Sequence, residues 1–302
     1  MLLLAAVLGS PHQLDELSHL ARGCVRVLLD LGANLGVHSR FLFEPRKYPE
    51  SKMVPAFDRV FGLDRNDCEN MQSTCAFAFE PNPVHAKRLT QLEAAYRRIG
   101  HRFYYLAYGV GASSGELIFH KNPTKSSLAN EHWSFGVKDR FNGSRQEQLH
   151  VPSAGFHEVL ELIERRDLSS EAGSSRPPKV FVKMDIEGME FEVIPNVMMR
   201  GSLCRAVDLI TVEFHAKLAP LRLHKKQSLD LLHSGVPPPR STSSLPPSTT
   251  DGATAAAKWR CRILTTSHMD MTGCGCPTYQ HVTNHCYYFE PCVKKKRVPG
   301  SA

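Results

Sequence analysis

The sequence lacks several features that would settle its class at once. No apolar run reaches the roughly 18–20 residues that a membrane-spanning helix needs, so no membrane-spanning segment is expected. No G-x-G-x-x-G opens the first strand-to-helix turn. Counted from Gly32, that motif would need glycine where Asn34 and Val37 stand. A dinucleotide-dependent oxidoreductase is disfavoured for that reason. No internal repeat is visible, and no paired C-x₂-C spacing marks a common zinc site. A broad basic surface is missing too. The net charge is +7, but Lys294-Lys295-Lys296-Arg297 supply four of it, so only three remain for the rest of the chain. A short terminal run reads as a solvated tail, and nucleic acid is not an expected partner.

What is present is an ordinary globular composition. The 302 residues are 42% hydrophobic and 22% charged, which excludes wholesale disorder. The nine cysteines are unevenly placed, with Cys261, Cys274, Cys276, Cys286 and Cys292 near the end. That cluster is compatible with disulfides, with zinc also involving His281 and His285, or with free thiols. Cys24 and Cys204 read as small core residues, and Cys68 and Cys75 flank a loop across which they could pair. The apolar start resembles the core of a secretory signal but lacks a basic flank and a clear cleavage site. The cysteine clustering and that start point to a secretory compartment, with the cytoplasm as the alternative.

Local patterns place the elements. Ser10-Pro11 predicts a helix start, with Leu14, Leu17, Leu20 and Ala21 on one face and Gly23 as the stop. Residues 25–31 form a short apolar run ending at Gly32, which reads as a buried parallel strand. A helix is expected over 37–43. Residues 44–74, with Pro45, Pro49 and Pro55, read as an insertion loop with about one helical turn. Strands follow at 75–80, 103–107, 115–120, 180–184 and 207–214. Helices follow from Asn82-Pro83 to Gly100 and over 155–165, and a polar linker spans 169–178. Residues 234–257 hold five prolines amid Ser and Thr and read as low-complexity. Segments 259–265 and 285–290 are expected to close the sheet as an antiparallel hairpin. The fold class expected is α/β, a mostly parallel doubly wound sheet. It forms one domain over 25–292 with insertions at 44–74 and 234–257, an N-terminal apolar segment and helix over 1–24, and a basic tail over 293–302.

Four blocks carry chemistry. Asp30-Leu31-Gly32-Ala33-Asn34-Leu35-Gly36 joins a strand to a helix, where glycine lets a ligand approach the backbone and helix N–H groups lie unpaired. Its spacing suits a ligand without a pyrophosphate. Glu80-Pro81-Asn82-Pro83 follows the next strand, and an acid there can accept both ribose hydroxyls of a nucleoside or simply face a helix dipole. Lys183-Met184-Asp185-Ile186-Glu187-Gly188-Met189-Glu190 sets three carboxylates at a strand's carboxyl end, where open α/β sheets hold their sites. Glu187 and Glu190 also fit as first-turn helix acids. Glu213-Phe214-His215 ends the strand at 207–214, and His215 reads as a base, a substrate contact or a structural histidine. No metal is expected.

In this order the blocks resemble the FkbM-type family of S-adenosylmethionine-dependent methyltransferases, over residues 25–215 and more faintly to 290. Ala107-Tyr108-Gly109-Val110 and Ser126-Ser127-Leu128 resemble weaker family blocks. The resemblance implies a Rossmann-like methyltransferase fold, S-adenosyl-L-methionine as cofactor, and O-methylation of a hydroxyl on a sugar, glycan or other small metabolite. Cofactor contacts are then expected from Asp30, Gly32, Asn34, Gly36, Glu80 and Asp185. Asp185, Glu187 and His215 are the candidates to take the acceptor's proton. An N-methyltransferase, or a methyltransferase-fold binding protein without turnover, is the alternative. The two insertions and the cysteine-rich end depart from the family pattern. The oligomeric state is not legible in the sequence.

Overall fold

The computed structural model of the chain describes residues 14–68, 70–121, 135–136, 147–169, 177–215 and 263–265. The core is a six-stranded sheet: β1 (Arg26–Leu31), β2 (Thr74–Phe79), β3 (Arg102–Leu106), β8 (Lys179–Met184), β9 (Leu209–Val212) and β10 (Ile263–Thr265). Its order is β10-β9-β8-β1-β2-β3, and every pairing is parallel. From β1 the chain builds outward through β2 and β3 on one side and through β8 and β9 on the other. The boundary between β1 and β8 is therefore the topological switch point, where ligands of doubly wound sheets bind.

Burial on both sides explains the near-continuous apolar strands. Every residue of β1 and β2 is buried. Strand alternation then divides the core in two. Leu28, Ala76 and Phe181 face α2 (Val37–Phe43), α3 (Met53–Phe61) and α4 (Pro83–Arg98), whose Leu42, Phe57, Leu89 and Tyr96 are fully buried. Val27, Leu29, Phe77 and Val182 face α5 (Phe156–Glu164) and α6 (Glu190–Met199), through Phe156, Leu160 and Val193. The short helices α1 (Leu17–Leu20) and α7 (Ser202–Ala206) pack on this second side through Leu17 and Leu203. The sequence expectation of a helix beginning at Ser10-Pro11 falls partly outside the described residues.

Residues 44–74 correct the sequence expectation of a loop. They contain α3, a nine-residue helix, between two 3-10 turns. Phe57 and Phe61 of α3 lie 4.8 and 6.2 Å from the Phe181 ring of β8. Pro55 is tolerated because it falls in the helix's first turn, where its missing N–H would have no partner. Arg26 ties the segment to β1 by donating from Nε to the Phe61 carbonyl at 2.8 Å and from Nη1 to Ser73 Oγ at 3.3 Å.

The strand expected at 115–120 is present and lies outside the main sheet. β5 (Gly115–Lys121) belongs to a second sheet of order β4-β7-β5-β6, with β4 (Gly109–Gly111), β6 (Phe135–Gly136) and β7 (Glu147–Gly155). β7 has no counterpart in the sequence reading. Of the expected closing hairpin, the first segment contains β10, which pairs parallel with β9. Its neighbour at 285–290 lies outside the described residues, as do the low-complexity segment 234–257, the linker at 170–176, Ser126-Ser127-Leu128 and the five C-terminal cysteines.

The cysteine reading changes as well. Cys24 and Cys75 form a disulfide, with Cα atoms 5.7 Å apart. Cys24 precedes β1 and Cys75 lies in the adjacent β2, so chain neighbours far apart in sequence become lateral neighbours in the sheet. Cys75 is therefore not paired with Cys68, and Cys24 is not a simple core thiol. Cys204 is free and partly buried. A Cys24→Ala/Cys75→Ala variant is expected to lose about 2–4 kcal/mol of stability in chemical denaturation. Thiol titration of the denatured, unreduced protein that finds both cysteines reactive would overturn the pairing.

Candidate active site

The carboxyl ends of β1, β2 and β8 meet at the switch point. Parallel register sets Asp30 beside Lys183, and Leu31 between Phe79 and Met184. The residues that follow each strand therefore arrive together: Gly32 after β1, Glu80 after β2 and Asp185 after β8.

The β1 turn is held tightly. The Gly32 and Ala33 N–H groups both donate to the Phe79 carbonyl at 3.0 Å. Gly32 has φ +73°, and a Cβ there would lie 1.8 Å from the Asp185 carbonyl oxygen. Only glycine gives both the left-handed backbone and this close approach. Asn34 is also left-handed, at φ +51°, a conformation asparagine tolerates better than most residues. Its N–H donates to Glu80 Oε2 at 2.7 Å, while Asn82 N–H donates to Oε1 at 2.9 Å. Glu80 thus joins the β1 turn to the turn before α4. Burial pushes its carboxyl up to about 7, against the opposing pull of the Asn82 and Asn34 amides and of Lys183.

Beneath the turn lies Lys183. Its Nζ donates to the Gly32 carbonyl at 2.6 Å and stands 3.7 Å from Asp30 Oδ1 and 3.5 Å from Asp185 Oδ2. Burial disfavours this ammonium, but the carboxylates of Asp185, Asp30 and Glu80 outweigh it and hold its pKa above the ordinary lysine value. Asp30 is fully buried and accepts from Ser39 Oγ at 3.3 Å. Burial raises its carboxyl pKa, with Lys183 opposing.

Across the cleft, His215 stands among four carboxylates. Nε2 lies 3.2 Å from Glu187 Oε2, 3.7 Å from Asp185 Oδ1 and 4.0 Å from Glu213 Oε1, and Nδ1 lies 2.8 Å from Glu190 Oε1. Burial lowers the imidazole's pKa, but the Glu190 hydrogen bond and the surrounding carboxylates outweigh it and hold the pKa above the usual value. Glu187, with φ +56°, sits in a left-handed turn that turns its carboxylate toward the ring. One ligand atom each from Asp185, Glu187 and His215 lies within 4.8 Å of the others. A positive charge is what such a surround accommodates, an imidazolium proton or a bound cation alike.

The cleft between these groups is lined by Gly32, Asn34, Glu80, Asp185 and Glu187, with Tyr108, Val110, Phe119 and Met189 as its apolar part. Five of the residues expected from sequence therefore face it. Three do not line it. Asp30 lies below, against Lys183. Gly36 caps α2 at φ +74°, where a Cβ would meet Leu92 Cδ2 at 2.6 Å, so its glycine serves helix packing. His215 stands behind Asp185 and Glu187. The sequence reading missed the part played by Lys183, whose signal is a lysine inside an otherwise apolar strand. It also did not foresee that Val110, in the family-like block 107–110, and Phe119, in the strand at 115–120, form an apolar wall of the cleft.

A parallel doubly wound sheet, with a glycine turn and an acidic strand end flanking a cleft at its switch point, matches a Rossmann-like methyltransferase fold. The family model of the methyltransferase FkbM domain matches residues 30–222, more than half of the chain, and the chain belongs to that family. No curated protein and no solved structure shows significant similarity to it.

Gly32→Ala is expected to lose at least about 3 kcal/mol of stability or to prevent folding. Gly201→Ala is the control: its φ is +69°, but its nearest side-chain atom is 3.5 Å away, and only about 1–2 kcal/mol is expected from the backbone alone. Equal thermal shifts in the two variants would count against the close approach of the β1 and β8 turns.

Proposed function

We propose that the protein is an S-adenosylmethionine-dependent methyltransferase that acts on a hydroxyl of a sugar, glycan or other small metabolite. The observation that carries this reading is Glu80, a buried carboxylate at the end of β2 that faces the cleft. A carboxylate offers about four acceptor directions, and backbone amides use two of them here. The remaining pair suits two neighbouring ribose hydroxyls. Gly32 adds a stretch of backbone with no side chain in the way, and the acidic surroundings suit a ligand with positive charge. When bound, the cofactor supplies an electrophilic methyl group on a sulfonium.

The chain's residues then divide the work. Glu80 and the turn from Gly32 to Asn34 hold and orient the cofactor. Asp30 acts from below, by fixing Lys183 and through it the Gly32 carbonyl. The apolar wall of Tyr108, Val110, Phe119 and Met189 excludes water from the reacting atoms. Alignment of donor and acceptor supplies most of the acceleration, up to roughly 7–11 kcal/mol in favourable cases. The proton that the acceptor hydroxyl must lose would pass to His215 Nε2 by way of Asp185 or Glu187, which line the cleft in front of it. Proton removal of this kind contributes about 10²–10⁴-fold. The Cys24–Cys75 disulfide supports an oxidising compartment. No helix among the described residues is long and apolar enough to cross a membrane.

Calorimetric titration with S-adenosylmethionine tests the cofactor assignment, and labelled-methyl transfer to a panel of glycans and hydroxylated metabolites tests the acceptor. Glu80→Ala is expected to weaken cofactor binding about 10- to 100-fold, equivalent to ~1.5–3 kcal/mol for hydrogen bonds to a charged group. Absence of both binding heat and a thermal shift with the unaltered protein would refute the reading. Asp185→Asn is expected to slow transfer at least about tenfold.

The pH dependence follows from Glu80, whose carboxyl titrates near 7. The ionised form accepts hydroxyl hydrogens, and protonation removes that capacity. Cofactor affinity is therefore expected to fall as pH drops from 8 to 6. Glu80→Gln should flatten the profile, and an equally steep profile in that variant would assign the effect to another group.

A further inference from the structure

Glu190 opens α6, where an acid would ordinarily serve only to complement the helix dipole. Its surroundings say more. The side chain is fully buried. Oε2 accepts the Gly188 N–H at 2.8 Å. Oε1 accepts the backbone N–H of His215 at 2.8 Å and lies 2.8 Å from Nδ1 of the same residue. One carboxylate therefore clamps the turn after β8 to the residue that ends the β9 segment, and grips that residue twice.

We infer that Glu190 is a positioning residue that fixes the ring orientation and tautomer of His215, so that Nε2 is the nitrogen presented to Asp185, Glu187 and the acceptor hydroxyl. An ionised carboxylate accepts hydrogen bonds but donates none. The 2.8 Å contact therefore requires the hydrogen on Nδ1. In the neutral ring Nε2 is then left to take up a proton, and the Nε2–H so formed faces Glu187 at 3.2 Å and Asp185 at 3.7 Å, carboxylates that stabilise the imidazolium. The second grip, on the His215 backbone, stops the ring from turning away with its own main chain. Orientation of a catalytic imidazole by a buried acid on Nδ1 is the arrangement that hydrolytic triads use. Nothing passes through Glu190 itself: the acceptor's proton ends on Nε2. The inference rests on the reading of His215 as the proton acceptor, but its structural half stands apart from any acceptor or cofactor.

The test uses the full chain labelled with ¹⁵N-histidine, with His215→Gln to assign the resonances. In the neutral ring, long-range ¹H–¹⁵N spectra are expected to place the His215 hydrogen on Nδ1. Glu190→Gln leaves either the Gly188 or the His215 N–H facing another donor, and the spectra should then show both tautomers. The same variant should bind S-adenosylmethionine within about threefold of the unaltered protein, since Glu190 does not line the cleft. Transfer to an acceptor found by the screen should fall at least about tenfold. In a His215→Gln background, the Glu190 change should cost less than about twofold more, because a residue that acts only through another has nothing left to lose. A purely structural acid would give additive losses. A hydrogen on Nε2 of the neutral ring in the unaltered protein overturns the inference, and so does an unchanged tautomer in Glu190→Gln. If Glu190→Gln does not fold, the tautomer of the unaltered protein still decides. Failure of cofactor binding with Nδ1 correctly protonated would instead refute the methyltransferase reading and leave the clamp intact.

Discussion

A single buried ammonium holds the carboxyl edge of the sheet together. Lys183 lies in an interior strand, 6% exposed, and an unpaired charge there would cost several kcal/mol. Its three partners come from both sides of the switch point: the Gly32 carbonyl, Asp30 and Asp185. The Gly32 carbonyl reaches Lys183 because the chain turns left-handed at Gly32. The same turn brings the Gly32 Cα beneath the Asp185 carbonyl, where no Cβ fits. The two turns that bound the cleft are thus locked by one charge and one missing side chain.

From that lock the cleft acquires two unlike ends. At the β2 end, Glu80 is held by backbone amides and buried enough to titrate near neutrality. At the β9 end, four carboxylates surround one imidazole, so positive charge is favoured there. Between them runs an apolar wall contributed partly by the second sheet, through Phe119 of β5 and Val110 of β4. A low-dielectric wall between charged ends strengthens the electrostatic effect of both. This division suits a reaction in which a positively charged donor meets a neutral nucleophile that must lose a proton.

The parts legible in the sequence are those governed by local rules. β1, α2 and α4 announce themselves through apolar runs, a glycine turn and the Asn82-Pro83 start, where Asn82 does cap its helix by accepting from the Val84 N–H. α3 escaped because Pro45, Pro49 and Pro55 resemble loop signals, although only Pro55 falls within the helix, in its harmless first turn. β7 escaped because its residues Glu147–Gly155 include Pro152 and a mixed polar pattern. Such a strand is specified by its partner β5 more than by its own composition. Gly36 shows a further limit: its place in a glycine-rich turn is visible, but whether the glycine serves a ligand or Leu92 is not.

The sequence by itself determined the α/β class, the strand-end positions of the chemical groups and the family, because strand burial and turn chemistry act over a few residues. Tertiary structure decided which groups meet. Parallel register set Asp30 beside Lys183, and adjacent strands brought Cys24 to Cys75 in place of the closer Cys68. The same folding turned Glu190 from a helix-start acid into the clamp on His215, 25 residues away in the chain. Contacts of that kind depend on the lateral order of strands and on burial from both sides, and no spacing along the chain records them.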